Sequence, residues 1–109
     1  MKKVLYLVLE NSPKAVTTLE ELRKEGFNAT VVSTESLRHA LDESPEDHHF
    51  FGLRHLEQEV ATSSLCLFIV EEEKLPLIIK VIKEQTNDFK DISGFMYSQS
   101  VDNYEGSIK

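Results

Sequence analysis

Several residue types that simple chemistry and cross-linking rely on are scarce in this sequence. Its 109 residues include one cysteine, four glycines and three prolines. A single cysteine, Cys66, excludes a disulfide within the chain and fits a reducing compartment. With so few glycines there is no G-x-G-x-x-G or Walker loop to wrap a phosphate. A nucleophile elbow is absent too, as is the H-E-x-x-H zinc motif. Positive charge is also in deficit: the formal net charge is -7 and the pI is near 5.0. That balance argues against nucleic acid and anionic membranes as partners, since both select a basic footprint. Long apolar runs are missing as well. The start Met1-Lys2-Lys3-Val4 leads into a short apolar run that Glu10 and Pro13 interrupt. It is read as neither signal peptide nor membrane span, and a cytoplasmic location is expected.

What is present reads as one globular domain over residues 1–109, with 40% hydrophobic and 28% charged residues. A domain of this size buries about two-thirds of its unfolded surface, enough for one core without staples. Val4 to Leu9 is an unbroken apolar run of strand length. Ser12 then suits an N-cap and Pro13 the first helical position. Val16, Leu19 and Leu22 follow at helical spacing, and Gly26 closes the helix. Ala29 to Ser33 reads as a second strand.

The second half repeats the plan. Ser64 to Val70 is a strand in which Cys66 is read as a small buried hydrophobe. Glu71-Glu72-Glu73 marks a helix start, with Pro76 tolerable in the first turn. Leu75, Ile78, Ile79 and Ile82 form an apolar face, and Asn87-Asp88 ends the helix. Ile92 to Ser98 reads as the fourth strand. The tail from Val101 carries Tyr104 and Ile108, and either frays or docks on a neighbour.

The order β-α-β then β-α-β predicts an α+β, ferredoxin-like βαββαβ two-layer sandwich, with a long insertion over about 34–63 between strands 2 and 3. In such a fold helices cover one sheet face, so strands facing water on the other side should alternate apolar with polar. Here Val4, Tyr6 and Val8 oppose Leu5, Leu7 and Leu9, while Leu65, Leu67 and Ile69 oppose Cys66, Phe68 and Val70. Both faces are apolar. Something must cover the face without helices: either the long central insertion or other copies of the chain, and other copies are the favoured cover.

The insertion is polar and carries His39, His48, His49 and His55. Thr34 is expected to cap a short helix, Ser44-Pro45-Glu46-Asp47 gives a second helix start, and Leu53, Leu56 and Val60 recur at helical spacing. Phe50 and Phe51 either plug a core edge or line a ligand pocket. His48, His49 and His55 are weak metal-ligand candidates. No i, i+4 histidine pair exists, adjacent histidines point apart, and a solvated loop is the default. Lys90 with Ser93-Gly94 offers a cation and backbone N–H groups to an anion, or else an ordinary turn. Acidic runs such as Glu20-Glu21 read as solvated helix faces.

The layout resembles the PII-like signalling proteins. The resemblance rests on the strand Val4–Leu9, the helix ending Glu25-Gly26-Phe27, the strand into Thr34, the long mid-chain loop, Phe68-Ile69-Val70-Glu71 before a helix, and Ile92-Ser93-Gly94-Phe95-Met96 in the final strand. It implies a ferredoxin-like subunit, a homotrimer, and small-molecule or nucleotide binding in clefts between subunits. The chain departs from the family at Thr86-Asn87-Asp88-Phe89-Lys90-Asp91-Ile92. There Asp88 and Lys90 align with acidic and basic members, but the glycines of the phosphate-holding turn are absent. The glycine and glutamine motif of the mid-chain loop is also absent, and no arginine follows Arg54. A divergent member with a changed or lost ligand is therefore expected. The ligand-binding candidates are Thr34, Phe50, Phe51, Lys90, Ser93 and Gly94, with no cofactor and no catalytic residue assigned.

Three functional readings follow: a non-enzymatic trimeric ligand-sensing module, a metal-responsive trimer of the copper-tolerance type, and a small enzyme with its site on the open sheet face. For the last, Tyr6 is the main ionisable side chain on the first strand, and packing is its favoured role.

Overall fold

The structure, a computed structural model, describes residues 1–37, 41 and 62–107. These form β1 (Lys2–Glu10), α1 (Pro13–Lys24), β2 (Thr30–Thr34), β3 (Ser63–Glu71), a 3-10 turn (Glu72–Lys74), α2 (Leu75–Thr86) and β4 (Gly94–Ser100). The four strands make one antiparallel sheet in the order β2-β3-β1-β4. That order, with both helices packed together on one side, is the ferredoxin-like arrangement the element order predicts.

Local chemistry explains the helix limits. Ser12 accepts the Ala15 N–H at 3.2 Å and Pro13 occupies the first helical position. Gly26, at φ 93°, takes the left-handed position after the C-cap Glu25. The inward face of α1 is Ala15, Thr18 and Leu22, while Val16 is 56% exposed. Of the expected stripe, Leu22 is buried and Leu19 packs against the core, while the place of Val16 is taken by Ala15 and Thr18. The Thr18 hydroxyl donates to the Lys14 carbonyl at 2.8 Å, which lets threonine serve as a core residue. On α2 the buried set is Ile78, Val81, Ile82 and Thr86. The acidic run is split: Glu71 ends β3, and Glu72 and Glu73 start the 3-10 turn.

The core lies between helices and sheet. Leu5, Leu7 and Leu9 of β1 and Cys66, Phe68 and Val70 of β3 point into it, with Ile92 from the turn before β4. Fully burying each such Leu, Ile or Phe contributes about 1.5–3 kcal/mol. Ile92 therefore belongs to the turn, and β4 starts two residues later than its apolar pattern suggests.

Directly paired residues share a face, so the register also defines the face without helices. It carries Val32 of β2, Leu65, Leu67 and Ile69 of β3, Val4, Tyr6 and Val8 of β1, and Phe95 and Tyr97 of β4. Phe95, Tyr97, Val32 and Ile69 are all 40–54% exposed. The two-sided apolar pattern read from the sequence is thus present in the fold.

One end of this face is crossed by the segment after β4. The Val101 N–H donates to the Lys2 carbonyl at 3.1 Å. The Lys2 ammonium lies over the Tyr104 ring, 5.0 Å from its centroid. Tyr104 and Ser107 then close a hollow with Leu67, Ile69 and Thr30. The tail was expected to fray or to dock on a neighbour; the described part, to Ser107, instead docks on its own sheet. The same end is tied by charge. Lys2 bonds Glu71 at 2.6 Å and Lys3 lies 3.6 Å from Glu72. The Lys2 bond lowers the Glu71 carboxyl below its ordinary range and raises the Lys2 ammonium.

Candidate functional site

The opposite end of the open face is polar. The register aligns Thr34 with Ser63 and Ser63 with Glu10, across β2, β3 and β1. The Thr34 and Ser63 hydroxyls share a hydrogen bond of 2.8 Å. Ser93 completes the row beside Glu10: the Glu10 N–H donates to the Ser93 carbonyl at 3.0 Å, and the Ser93 N–H donates to Glu10 Oε1 at 3.1 Å. Further bonds brace the corner. The Asn11 N–H donates to the Thr62 carbonyl at 2.8 Å, the Thr62 N–H donates to the Thr34 carbonyl at 3.0 Å, and the Ser64 hydroxyl donates to the Asn11 side chain at 2.9 Å.

Under this row lies a cleft of about 370 Å³, lined by Val8, Glu10, Ser36, Thr62, Ser63, Ser93, Gly94 and Phe95. Its volume lies within the range of small-molecule sites. Its floor is apolar and its rim carries hydroxyls and one carboxylate. Gly94 has a specific reason to be glycine. A Cβ there would collide with the Val8 carbonyl and stand 2.9 Å from the Leu9 side chain. The backbone of β4 approaches β1 too closely for any other residue without a shift.

The turn that delivers Ser93 and Gly94 is built without glycine. Asn87, Asp88 and Phe89 are all left-handed, at φ 53°, 57° and 61°. Non-glycine residues pay about 1–2 kcal/mol each for that conformation, and local bonds offset it. The Asp88 N–H reaches the Lys83 carbonyl at 2.8 Å, and the Asp91 N–H reaches the Thr86 carbonyl at 3.1 Å. The buried Thr86 hydroxyl donates to the Ile82 carbonyl at 2.8 Å and accepts the Phe89 N–H at 3.1 Å. Phe89 packs on the core.

Of the residues singled out from the sequence, Ser93 and Gly94 line the cleft, and Thr34 stands at its edge through Ser63. Thr34 is the last residue of β2, a strand position. Lys90 is exposed in the turn, with its N–H on the Asn87 carbonyl at 3.1 Å, and is not among the lining residues. The Ser93 N–H is already held by Glu10. Phe50, Phe51, His39, His48, His49 and His55, and the helical pieces expected around them, lie outside the described residues. Among the described residues no three His, Cys, Asp or Glu side chains gather at one point, and no helix is long and apolar enough to cross a membrane. Tyr6 stacks on Tyr97, with ring centroids 4.6 Å apart. Cys66 is fully buried, and burial pushes its thiol up to about 11.

Glu10, Thr62 and Phe95 had not been singled out. Nothing local marks Glu10, because its partner Ser93 is 83 positions away. The one available signal was a charged residue ending an otherwise apolar strand.

No protein-family model and no curated protein matches the chain. Solved structures do. A functionally unknown protein from Pediococcus pentosaceus superposes with a TM-score of 0.63 at 14% identity, over 97% of each chain. CPII of Thiomonas intermedia, a PII-family protein solved with ADP, AMP and acetate, superposes with a TM-score of 0.56 at 17% identity, over 89% of this chain and 82% of CPII. The fold is PII-like. At these identities the likeness concerns the backbone arrangement, so the chemistry of the cleft has to be read from its own residues.

Proposed function

We propose that this chain is one domain over residues 1–109 and a non-enzymatic, cytoplasmic PII-like regulatory subunit. It assembles with copies of itself, as a trimer, and senses a small ligand at the subunit junction. The carrying observation is the open sheet face. Phe95 and Tyr97 on β4 and Val32 and Ile69 on the other side of the sheet are 40–54% exposed, on a face whose helix-free side is apolar throughout its middle. Monomeric soluble proteins rarely leave a contiguous apolar patch of this kind uncovered. A closed ring buries the same patch on every copy.

The segment 101–107 lies at the Lys2 and Glu71 end, and among the described residues the middle of the face is left for a neighbour. The cleft at the Glu10 end then meets the rim of that contact. PII-like architecture supports the trimer as the closed form, and the acidic charge supports a small molecule or protein over nucleic acid as partner.

The test is a pair of charge substitutions on the patch, Phe95→Glu and Tyr97→Glu, followed by light scattering and circular dichroism. The reading predicts folded monomers in place of the native oligomer. An unchanged molar mass would move the interface elsewhere.

A further inference from the structure

Resting on the ligand-sensing reading above, we infer that the cleft at the Glu10 end takes a small organic cation, an amine or guanidinium group, and not a phosphate.

Four observations converge on this. Among the described residues that line the cleft, Glu10 is the one charged group, and none of them is lysine or arginine. Its carboxylate is fixed from one side: Oε1 accepts the Ser93 N–H at 3.1 Å, and no cation pairs with it among the described residues. A carboxylate oriented this way and exposed to a concave site is an acceptor for charge-assisted donors. An anion would meet it as a like charge, and the amide best placed to greet that anion is already taken.

The other polar lining residues among those described, Ser36, Thr62, Ser63 and Ser93, all carry hydroxyls and no charge. The Thr62 hydroxyl oxygen is buried and has no hydrogen-bond partner among the described residues. A buried oxygen left without a donor is costly, and a ligand N–H that reaches it on binding would relieve that cost. The floor supplies Phe95, more than half exposed, whose ring face suits a guanidinium or alkylammonium group. Carboxylate, hydroxyls and an aromatic face together select for donors and positive charge.

The experiment is isothermal titration of the full-length protein with two probes: agmatine, which carries a guanidinium and an amine but no carboxylate, and ADP. Glu10→Gln is the diagnostic variant. It keeps a side-chain carbonyl for the Ser93 N–H while removing the charge, and its thermal melting confirms that it folds. The expected result is saturable agmatine binding to the native protein, weakened about tenfold or more in Glu10→Gln, in line with a charged hydrogen bond. Equal affinity in the two proteins would overturn the inference, as would the absence of any agmatine binding. If ADP binds instead, and Glu10→Gln strengthens it by removing the like charge, the cation inference falls while the ligand-sensing reading survives. If neither probe binds and the chain is monomeric, both fall.

Discussion

Tyr6 and Tyr97 face each other across the β1–β4 ladder with ring centroids 4.6 Å apart and planes inclined by 23°. Phe95 extends the stack along β4, its ring 6.3 Å from that of Tyr97. This aromatic ladder is the centre of the apolar face that the helices leave open. A double-mutant cycle with Tyr6→Ala and Tyr97→Ala, read by urea unfolding, is expected to give a coupling of about 0.5–1.5 kcal/mol. Additive single effects would mean that the rings contribute only through area.

Gly94 seats the last strand against Val8 and Leu9. Gly94→Ala forces either a backbone shift of β4 or a displaced Leu9 side chain, and Leu9 is fully buried. The expected loss is about 1–3 kcal/mol, the range for overpacking a close contact. Chemical denaturation at neutral pH measures it, and a neutral substitution would show that β4 can yield.

The left-handed turn is a reservoir of strain that glycine relieves. Asp88 is exposed at φ 57° and contributes its backbone N–H, not its side chain, to the bond with Lys83. Asp88→Gly is expected to stabilise the fold by about 0.5–1 kcal/mol, and Asp88→Val to destabilise it by about 1 kcal/mol or more. Thermal melting of the two variants checks the sign of each.

Cys66 offers a probe of global opening. Its thiol is fully buried and pushed up to about 11, against an ordinary value near 8.5. The folded protein therefore holds this proton more tightly than the unfolded chain does. That contribution to stability is complete below the ordinary thiol pKa and is lost as pH rises toward 11. A thiol reagent at pH 8 is expected to label Cys66 only as fast as the protein unfolds, and immediate labelling of the native protein would contradict the burial.

The fold was legible because its signals are local. Apolar runs of strand length, the Ser12-Pro13 start and the Gly26 stop all act within a few residues, and so does the end of α2 at Asn87. The two-faced strands were legible for the same reason, since alternation is read along one chain segment. The α1 stripe slipped at Val16, because Thr18 hides its polarity in a bond to its own helix and takes a core place, and β4 slipped because Ile92 is buried from a turn. The site was much less legible. Ser93, Gly94 and Thr34 were flagged by local context, but Glu10 acquires its role only from the antiparallel pairing that brings residue 93 beside residue 10. Lys90, three positions from Ser93 in sequence, is not among the residues that line the cleft.

The central claim is that the open sheet face is covered by other copies of this chain. Light scattering coupled to size exclusion at micromolar concentration tests it most directly. The account predicts one species at three times the 12.5 kDa of a single chain, and a stable, well-behaved 12.5 kDa monomer would contradict it.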